Sequence, residues 1–317
     1  MQLLKHIQHI QPINLNMKKI LFLATLSIIL LSCGNNKKKT SDDTPEIYGV
    51  WNRLGTISYV NDIPVDTSLI KNSENDWFKQ IKIFKDGSMV WINNSRDTLT
   101  PWKGGSGGYA KVKIHSKDSL TEYMSNGTGW WGSYVKNNKD SLNIPYLTIP
   151  INAYIDGDTY TQKWGNNRDR SEYWGRLEKL QANTKLDGAW KRVYQINFVN
   201  GIAVDTTTVP SDAVLDVKIF SDGYYAYQVD QTGLADPGSP QYGGFGGYGT
   251  FEYNQDKNIL TEYQEWGSGT SVNSSPPKSN PIFHDIKFYN DDLFLQIGID
   301  TLGGNQGGRG LVYKRIK

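Results

Sequence analysis

Gly49-Val50-Trp51-Asn52-Arg53-Leu54-Gly55-Thr56-Ile57-Ser58-Tyr59 and Gly188-Ala189-Trp190-Lys191-Arg192-Val193-Tyr194-Gln195-Ile196-Asn197-Phe198 decide the fold. Each opens on Gly-x-Trp-x-Arg and then alternates with a period of two, the spacing of a strand. Trp51, Arg53, Ile57 and Tyr59 share one face, and Trp190, Arg192, Tyr194, Ile196 and Phe198 show the same parity. The second stretch lies 139 residues after the first, and the repetition continues outward from both. Val60-Asn61-Asp62-Ile63-Pro64-Val65-Asp66-Thr67 returns as Val199-Asn200-Gly201-Ile202-Ala203-Val204-Asp205-Thr206. Lys82-Ile83-Phe84-Lys85-Asp86-Gly87 returns as Lys218-Ile219-Phe220-Ser221-Asp222-Gly223. Gly104-Gly105-Ser106-Gly107-Gly108-Tyr109 returns as Gly243-Gly244-Phe245-Gly246-Gly247-Tyr248, and Leu120-Thr121-Glu122-Tyr123 returns unchanged at 260–263. The shift changes only between blocks, where turn residues cluster and insertions are tolerated. A unit of this size is a domain, too long for a solenoid repeat. The sequence therefore predicts two copies of one domain, at 47–180 and 184–317, joined by a short polar link.

Both copies read as β throughout. Ile81-Lys82-Ile83-Phe84 is a strand, Asp86-Gly87 supplies a hairpin turn that needs positive φ, and Met89 and Trp91 share a face of the next strand. The segments 109–114, 119–125 and 173–177 extend the pattern, as do 248–253, 259–263, 286–289, 293–299 and 311–316. No window of a dozen residues shows 3.6 periodicity, except for a turn of helix expected near Asp66–Asn72. About eight short antiparallel strands per copy fit a small barrel or a sandwich, and the glycines favour closure because sharply bent strands prefer residues without a Cβ.

Gly-x-Trp at the head of the first strand resembles the lipocalins. The whole unit is similar to the lipocalin-like domain of secreted bacterial lipoproteins of unknown function. The matching elements are Gly-x-Trp, the hairpin strand (Met89/Trp91, Tyr225/Tyr227), Gly-Gly-x-Gly-x-Tyr, Leu-Thr-Glu-Tyr, and an aromatic-x-Arg ending (Trp174/Arg176, Tyr313/Arg315). The resemblance implies an all-β fold of two tandem antiparallel lipocalin-like β-barrels of about eight strands each. It also implies that Arg176 packs over Trp51, and Arg315 over Trp190, as structural cation–π contacts, with Arg170 and Arg309 as competing choices.

Upstream, Met17-Lys18-Lys19 and the apolar run Ile20–Leu31 form a secretory signal, too short to span a bilayer. Ser32-Cys33-Gly34 resembles the lipobox of bacterial lipoproteins, which implies acylation of Cys33, the chain's only cysteine. Residues 1–16 then read as an over-extended start, 17–32 as the signal peptide and 33–46 as a disordered tether. The implied address is the cell envelope, lipid-anchored, with the outer membrane favoured because Gly34 and Asn35, directly after the cysteine, lack the aspartate that resembles an inner-membrane retention signal. With Cys33 acylated, disulfides and cysteine-ligated metal are excluded. The formal charge is +2, and removing residues 1–32, whose charged residues are Lys5, Lys18 and Lys19, leaves −1. That balance argues against nucleic acid as a partner.

No catalytic residue, metal or cofactor is expected. Gly244-Phe245-Gly246-Gly247-Tyr248-Gly249 matches a dinucleotide fingerprint, but Thr250-Phe251-Glu252-Tyr253 continues as a strand where a helix is required. His115 and His284 occupy non-equivalent places, against a duplicated metal site or triad. Glu122 and Glu262 are the best general-base candidates, set against the commoner case of outward, exposed glutamates. Arg53 and Arg192 share the tryptophan's face and point inward, so each needs a partner: an internal salt bridge, for which Glu122 and Glu262 are the choices, or a ligand carboxylate. The candidate ligand contacts are Arg53, Tyr59, Met89 and Trp91 in the first copy, and Arg192, Phe198, Tyr225 and Tyr227 in the second. Gly127-Thr128-Gly129-Trp130-Trp131-Gly132 reads as a loop, and with Trp102 it offers either a cover over the barrel end or a platform for sugars. The resulting expectation is a non-catalytic binder of a small apolar or amphipathic molecule. A carbohydrate- or protein-binding surface module with packed barrels is the alternative.

Overall fold

The computed structural model describes residues 46–70, 78–95, 106–164, 169–199, 202–209, 216–229, 244–268, 281–299 and 306–317. Cys33, the signal segment, most of the tether, and Trp102 lie outside these residues. The first copy comprises β1 (Gly49–Val60), β2 (Ile63–Leu69), β3 (Phe78–Lys85), β4 (Ser88–Ser95), β5 (Ser106–Ser116) and β6 (Ser119–Thr128). It continues with α1 (Gly129–Leu142), β7 (Leu147–Asp156), β8 (Thr159–Trp164) and β9 (Arg170–Arg176). The second comprises β10 (Gly188–Val199), β11 (Ile202–Thr208), β12 (Asp216–Ser221), β13 (Tyr224–Val229) and β14 (Phe245–Asn254). Then follow β15 (Ile259–Ser268), β16 (Ile282–Asn290), β17 (Leu293–Ile299) and β18 (Gln306–Arg315).

Each copy is a closed antiparallel barrel. β1 pairs with β3 through its first residues and with β9 along most of its length, closing a ring of eight strands, and β10 does the same with β12 and β18. β2 and β11 are hairpin partners on the distal halves of β1 and β10, exposed at every residue. The expected helical turn near Asp66–Asn72 is therefore wrong as far as it is described, because Asp66–Leu69 belongs to β2. Asp86-Gly87 and Asp222-Gly223 all have positive φ, the hairpin geometry that Asp-Gly favours.

One helix runs against the sequence expectation. α1 carries Gly, Asn and Ser, all poor helix formers, and among its described side chains it buries Trp131 and Val135, four residues apart. Its end is fixed by Asn143 in the left-handed region. The N–H of Asn143 donates to the Asp140 carbonyl, and that of Ile144 to the Lys139 carbonyl. The helix lies against β5, β6 and β7.

Three main cores result. Trp51, Phe84, Met89, Leu120, Tyr160 and Trp174 fill the first barrel, and Trp190, Phe220, Tyr225, Phe251, Phe294 and Tyr313 fill the second. The third joins them: Val50, Ile81, Ile83, Val90 and Ile92 pack on Ala189, Val217, Ile219, Ala226 and Tyr248. Strands β3 and β12 are thus buried on both faces, one towards their own barrel and one towards the other. The contact is reciprocal, in the manner of a two-fold interface. Asp86, at the first barrel's hairpin tip, reaches Arg315 at 3.8 Å, while Asp222 at the second barrel's tip lies against Gly49 and Arg176. Gly107 and Gly246 meet at the centre, where a Cβ on either would stand 2.7 Å from Ile92 Cδ1 and 2.8 Å from Gln228 Oε1. Close approach of the barrels is therefore one role of the glycine-rich segments.

Candidate functional site

The interior chemistry starts from the alternation of β3 and β12. With Ile81 and Ile83 committed to the seam between barrels, Lys82 is forced inward, and Lys218 follows with Val217 and Ile219. Both lysines are almost fully buried, at 2% and 4% exposure, so each must be paired. Lys82 Nζ donates to Gln162 Oε1 at 2.8 Å and to Glu122 Oε1 at 3.4 Å, and stands 5.0 Å from the Trp174 ring centre. Lys218 Nζ donates to Glu262 Oε1 and stands 4.9 Å from the Tyr225 ring. Glu122 and Glu262 are therefore inward and buried, contrary to the expectation of exposed glutamates. The strand β6 parity that buries Leu120 and Met124 carries Glu122 in with them.

The arginines have other partners than the two glutamates predicted for them. Arg53 Nη1 donates at 2.9 Å to both Glu172 Oε1 and Gln80 Oε1, and Nη2 donates to Thr56 Oγ1 at 3.1 Å. Arg192 Nε lies 3.0 Å from Asp216 Oδ2. By register Gln80 is equivalent to Asp216 and Glu172 to Leu311, so the acid has changed strand between the copies while the ion pair persists. An acidic ligand is not needed to neutralise either guanidinium.

The two carboxylates at the lysines differ. Burial pushes Glu122 up and Glu172 adds to it, against the pull of Lys82, and the net position is above the usual carboxylate range. Burial also raises Glu262, but the charges of Lys218 and His284 and the hydrogen bond from Lys218 overcome it and hold the group at about 2. His284 Nε2 lies 3.6 Å from Glu262 Oε2, at the position that Ile151 occupies in the first barrel. His115, by contrast, is exposed on β5 and hydrogen-bonds Thr121 Oγ1 at 2.8 Å. Burial raises the phenols of Tyr160, Tyr225 and Tyr313 well above their ordinary values, so they act as neutral hydrogen-bonding groups.

These polar groups line a partly open chamber of about 300 Å³ in the first barrel. Arg53, Gln80, Lys82, Asn93, Glu122 and Glu172 line it together with Trp91, Met124, Trp131, Ile149 and Trp164, and the two kinds alternate, since Lys82 pairs with Trp91 across β3 and β4 and Glu122 with Ile149 across β6 and β7. Trp91 meets Trp131 at 5.9 Å and 72°, and Trp131 meets Trp164 at 5.4 Å and 62°, an edge-on box. Trp131, expected on a loop, is delivered here by α1. Of the predicted ligand contacts, Met89 is buried in the first core, Trp91 and Arg53 line the chamber, and Tyr225 and Tyr227 stack inside the second barrel at 6.4 Å. Tyr59 and Phe198 do not join them. β1 bulges between Arg53 and Gly55, and β10 between Arg192 and Tyr194, which reverses the parity of everything beyond. Tyr59 accordingly shares a hydrogen bond with Ser171 and lies under Lys163, while Phe198 packs on Ile196, Leu295 and Val312 outside the barrel core. Sequence reading passes over Lys82, Lys218, Glu172, Asp216 and Trp164. The available signal is a lysine in phase with Phe84 and Phe220 in both copies.

At the closed ends the signature residues meet. Arg176 lies 4.1 Å over Trp51 and donates to the carbonyls of Tyr48 and Glu46; Arg315 lies 4.1 Å over Trp190 and donates to those of Asp187 and Lys185. Arg170 and Arg309 are exposed elsewhere. The glycine of Gly-x-Trp is required twice over: Gly49 and Gly188 have φ of +129° and +144°, and the arginine fills the space of a Cβ.

No family model and no curated protein matches the chain. Among solved structures it is similar to a protein of unknown function of the DUF3598 family from Nostoc punctiforme, at 8% identity over 85% of this chain and 96% of that one, with a TM-score of 0.21. So distant a likeness carries no functional weight.

Proposed function

We propose that this is a non-catalytic, extracytoplasmic binding protein, anchored through an acylated Cys33 to the outer membrane, that contains a small amphipathic molecule in its first barrel. The observation that carries the reading is the chamber of about 300 Å³, at the lower limit of small-molecule pockets, lined by polar groups and aromatic rings together. The ion pairs favour a molecule without net charge over the fatty-acid-like ligand that two unpaired arginines would have suited. Native mass spectrometry of the full chain, released gently from its membrane, tests containment. A low-mass adduct lost in the chamber-filling variant Ile149→Trp is expected, and a wild-type protein that carries no adduct and binds no small probe overturns it. Retention of lipid labelling in Cys33→Ser would overturn the anchor.

A further inference from the structure

We infer that a second site, outside both barrels, binds a phosphate ester with an apolar body, either a soluble one or the headgroup of an anionic lipid. It goes beyond the containment proposed above and shares no residue with that chamber. Beside the seam, where β5 and β6 face β10 and β12, the surface opens into a groove of about 460 Å³. Tyr109, Tyr123 and Tyr146 line it together with Val217 and Ile316. Its charged residues are Lys111 and Lys191, and no carboxylate is among the described residues that line it. Clefts between domains are a favoured place for small ligands, and this volume is in their range.

Lysines gather at this groove. Lys191 stands across the sheet from Lys314, with Val217 on its other side. Lys314 has Leu293 as its other neighbour, and Lys111 lies between Ser88 and Tyr123. Lys111 and Lys314 form no ion pair among the described residues. Like charges directly opposite one another destabilise a sheet, and an anion beside them relieves the repulsion. The duplication supplies a control. By strand register, Thr250, Glu252, Asn52 and Gly175 occupy the counterpart positions of Lys111, Lys113, Lys191 and Lys314. Glu265 takes the bulge position of Ser125, while Tyr109 and Tyr123 recur as Tyr248 and Tyr263. The fold therefore keeps the tyrosines in both copies and does not require the lysines.

The kind of cation selects the kind of anion. Both charged lining residues are lysines, whose ammonium is a point charge suited to a tetrahedral phosphoryl group, whereas a planar carboxylate favours the arginine fork. Tyr123 and Tyr146 meet edge-to-face at 5.1 Å and 81°, and Tyr146 is 42% exposed, so an apolar body has a ring to lie against.

The test is calorimetric titration of the full chain with phenyl phosphate, short-chain phosphatidylglycerol, inorganic phosphate and benzoate. Saturable binding of one or both esters is expected, tighter than that of inorganic phosphate or benzoate and weaker as sodium chloride is raised. Lys111→Gln combined with Lys191→Gln should weaken it tenfold or more. Ile149→Trp, which fills the chamber inside the first barrel, should leave it unchanged. Circular dichroism establishes that each variant is folded. Binding of phenyl phosphate identifies a soluble ester as sufficient, and binding of phosphatidylglycerol alone identifies a lipid headgroup. Benzoate binding as tightly as the esters overturns the phosphate class. Ester binding unchanged in the double lysine variant, or no ester binding at all, overturns the site. Neither result touches containment in the first barrel, which is read from the adduct and its loss in Ile149→Trp.

Discussion

Lys218 shows how much one inward position can decide. It is buried at 4% exposure against Glu262 at 5%, and the pair sits among Phe220, Tyr225 and His284. Lys218→Met should destabilise the protein by about 3–5 kcal/mol in urea unfolding, because it leaves a buried carboxylate without its main partner. Adding Glu262→Met should recover most of that loss, which a purely steric defect would not allow. The same pair sets a pH dependence. Glu262 is held at about 2, below its ordinary value of 4.5, so its contribution is complete above about pH 5 and is lost as the pH falls towards 2. From pH 5 to pH 3 the stability gap between wild type and Glu262→Gln should shrink by about 2 kcal/mol. Glu122 has the opposite sign: its raised value means that any stability linked to its protonation is present in acid and lost as the pH rises through that value.

Among the elements, the bulges and the central glycines matter most. A strand period of two is legible in β1 and β10, but a bulge after Arg53 or Arg192 is a pairing property. Leu54 and Val193 look like any other apolar residue in an alternating run, so alternation alone puts Tyr59 and Phe198 on the wrong face. α1 is invisible to sequence for a related reason, since its stability comes from docking Trp131 and Val135 on the barrel rather than from propensity. At the seam, Gly246→Ala should cost about 1–3 kcal/mol, because its Cβ would overlap Ile92 and Gln228. Gln228 is fully buried with neither amide atom hydrogen-bonded, and it faces the equivalent position, Ile92. Gln228→Leu should therefore raise the denaturation midpoint, by about 1–3 kcal/mol in stability.

At the scale of the whole molecule, the two barrels share an apolar seam of the kind found between permanently associated subunits. Calorimetry should show one cooperative unfolding transition. Ile219→Asp puts a charge into the seam without touching either interior, and it should split the transition into two; two transitions already present in the wild type would show that the seam does not couple the barrels.

The amino-acid sequence by itself determined the duplication, the β class, the Asp-Gly hairpins and the Gly-x-Trp closed ends. Each of these is written in near neighbours, where backbone geometry and side-chain period act directly. Only the tertiary structure decided the rest: that Lys82 meets Glu122 and Gln162, that Arg53 meets Glu172 from 119 residues away, and that Ile83 faces another barrel instead of water. Ring closure and docking bring those groups together. Residues so far apart along the chain exert no force on one another until the strands between them have paired.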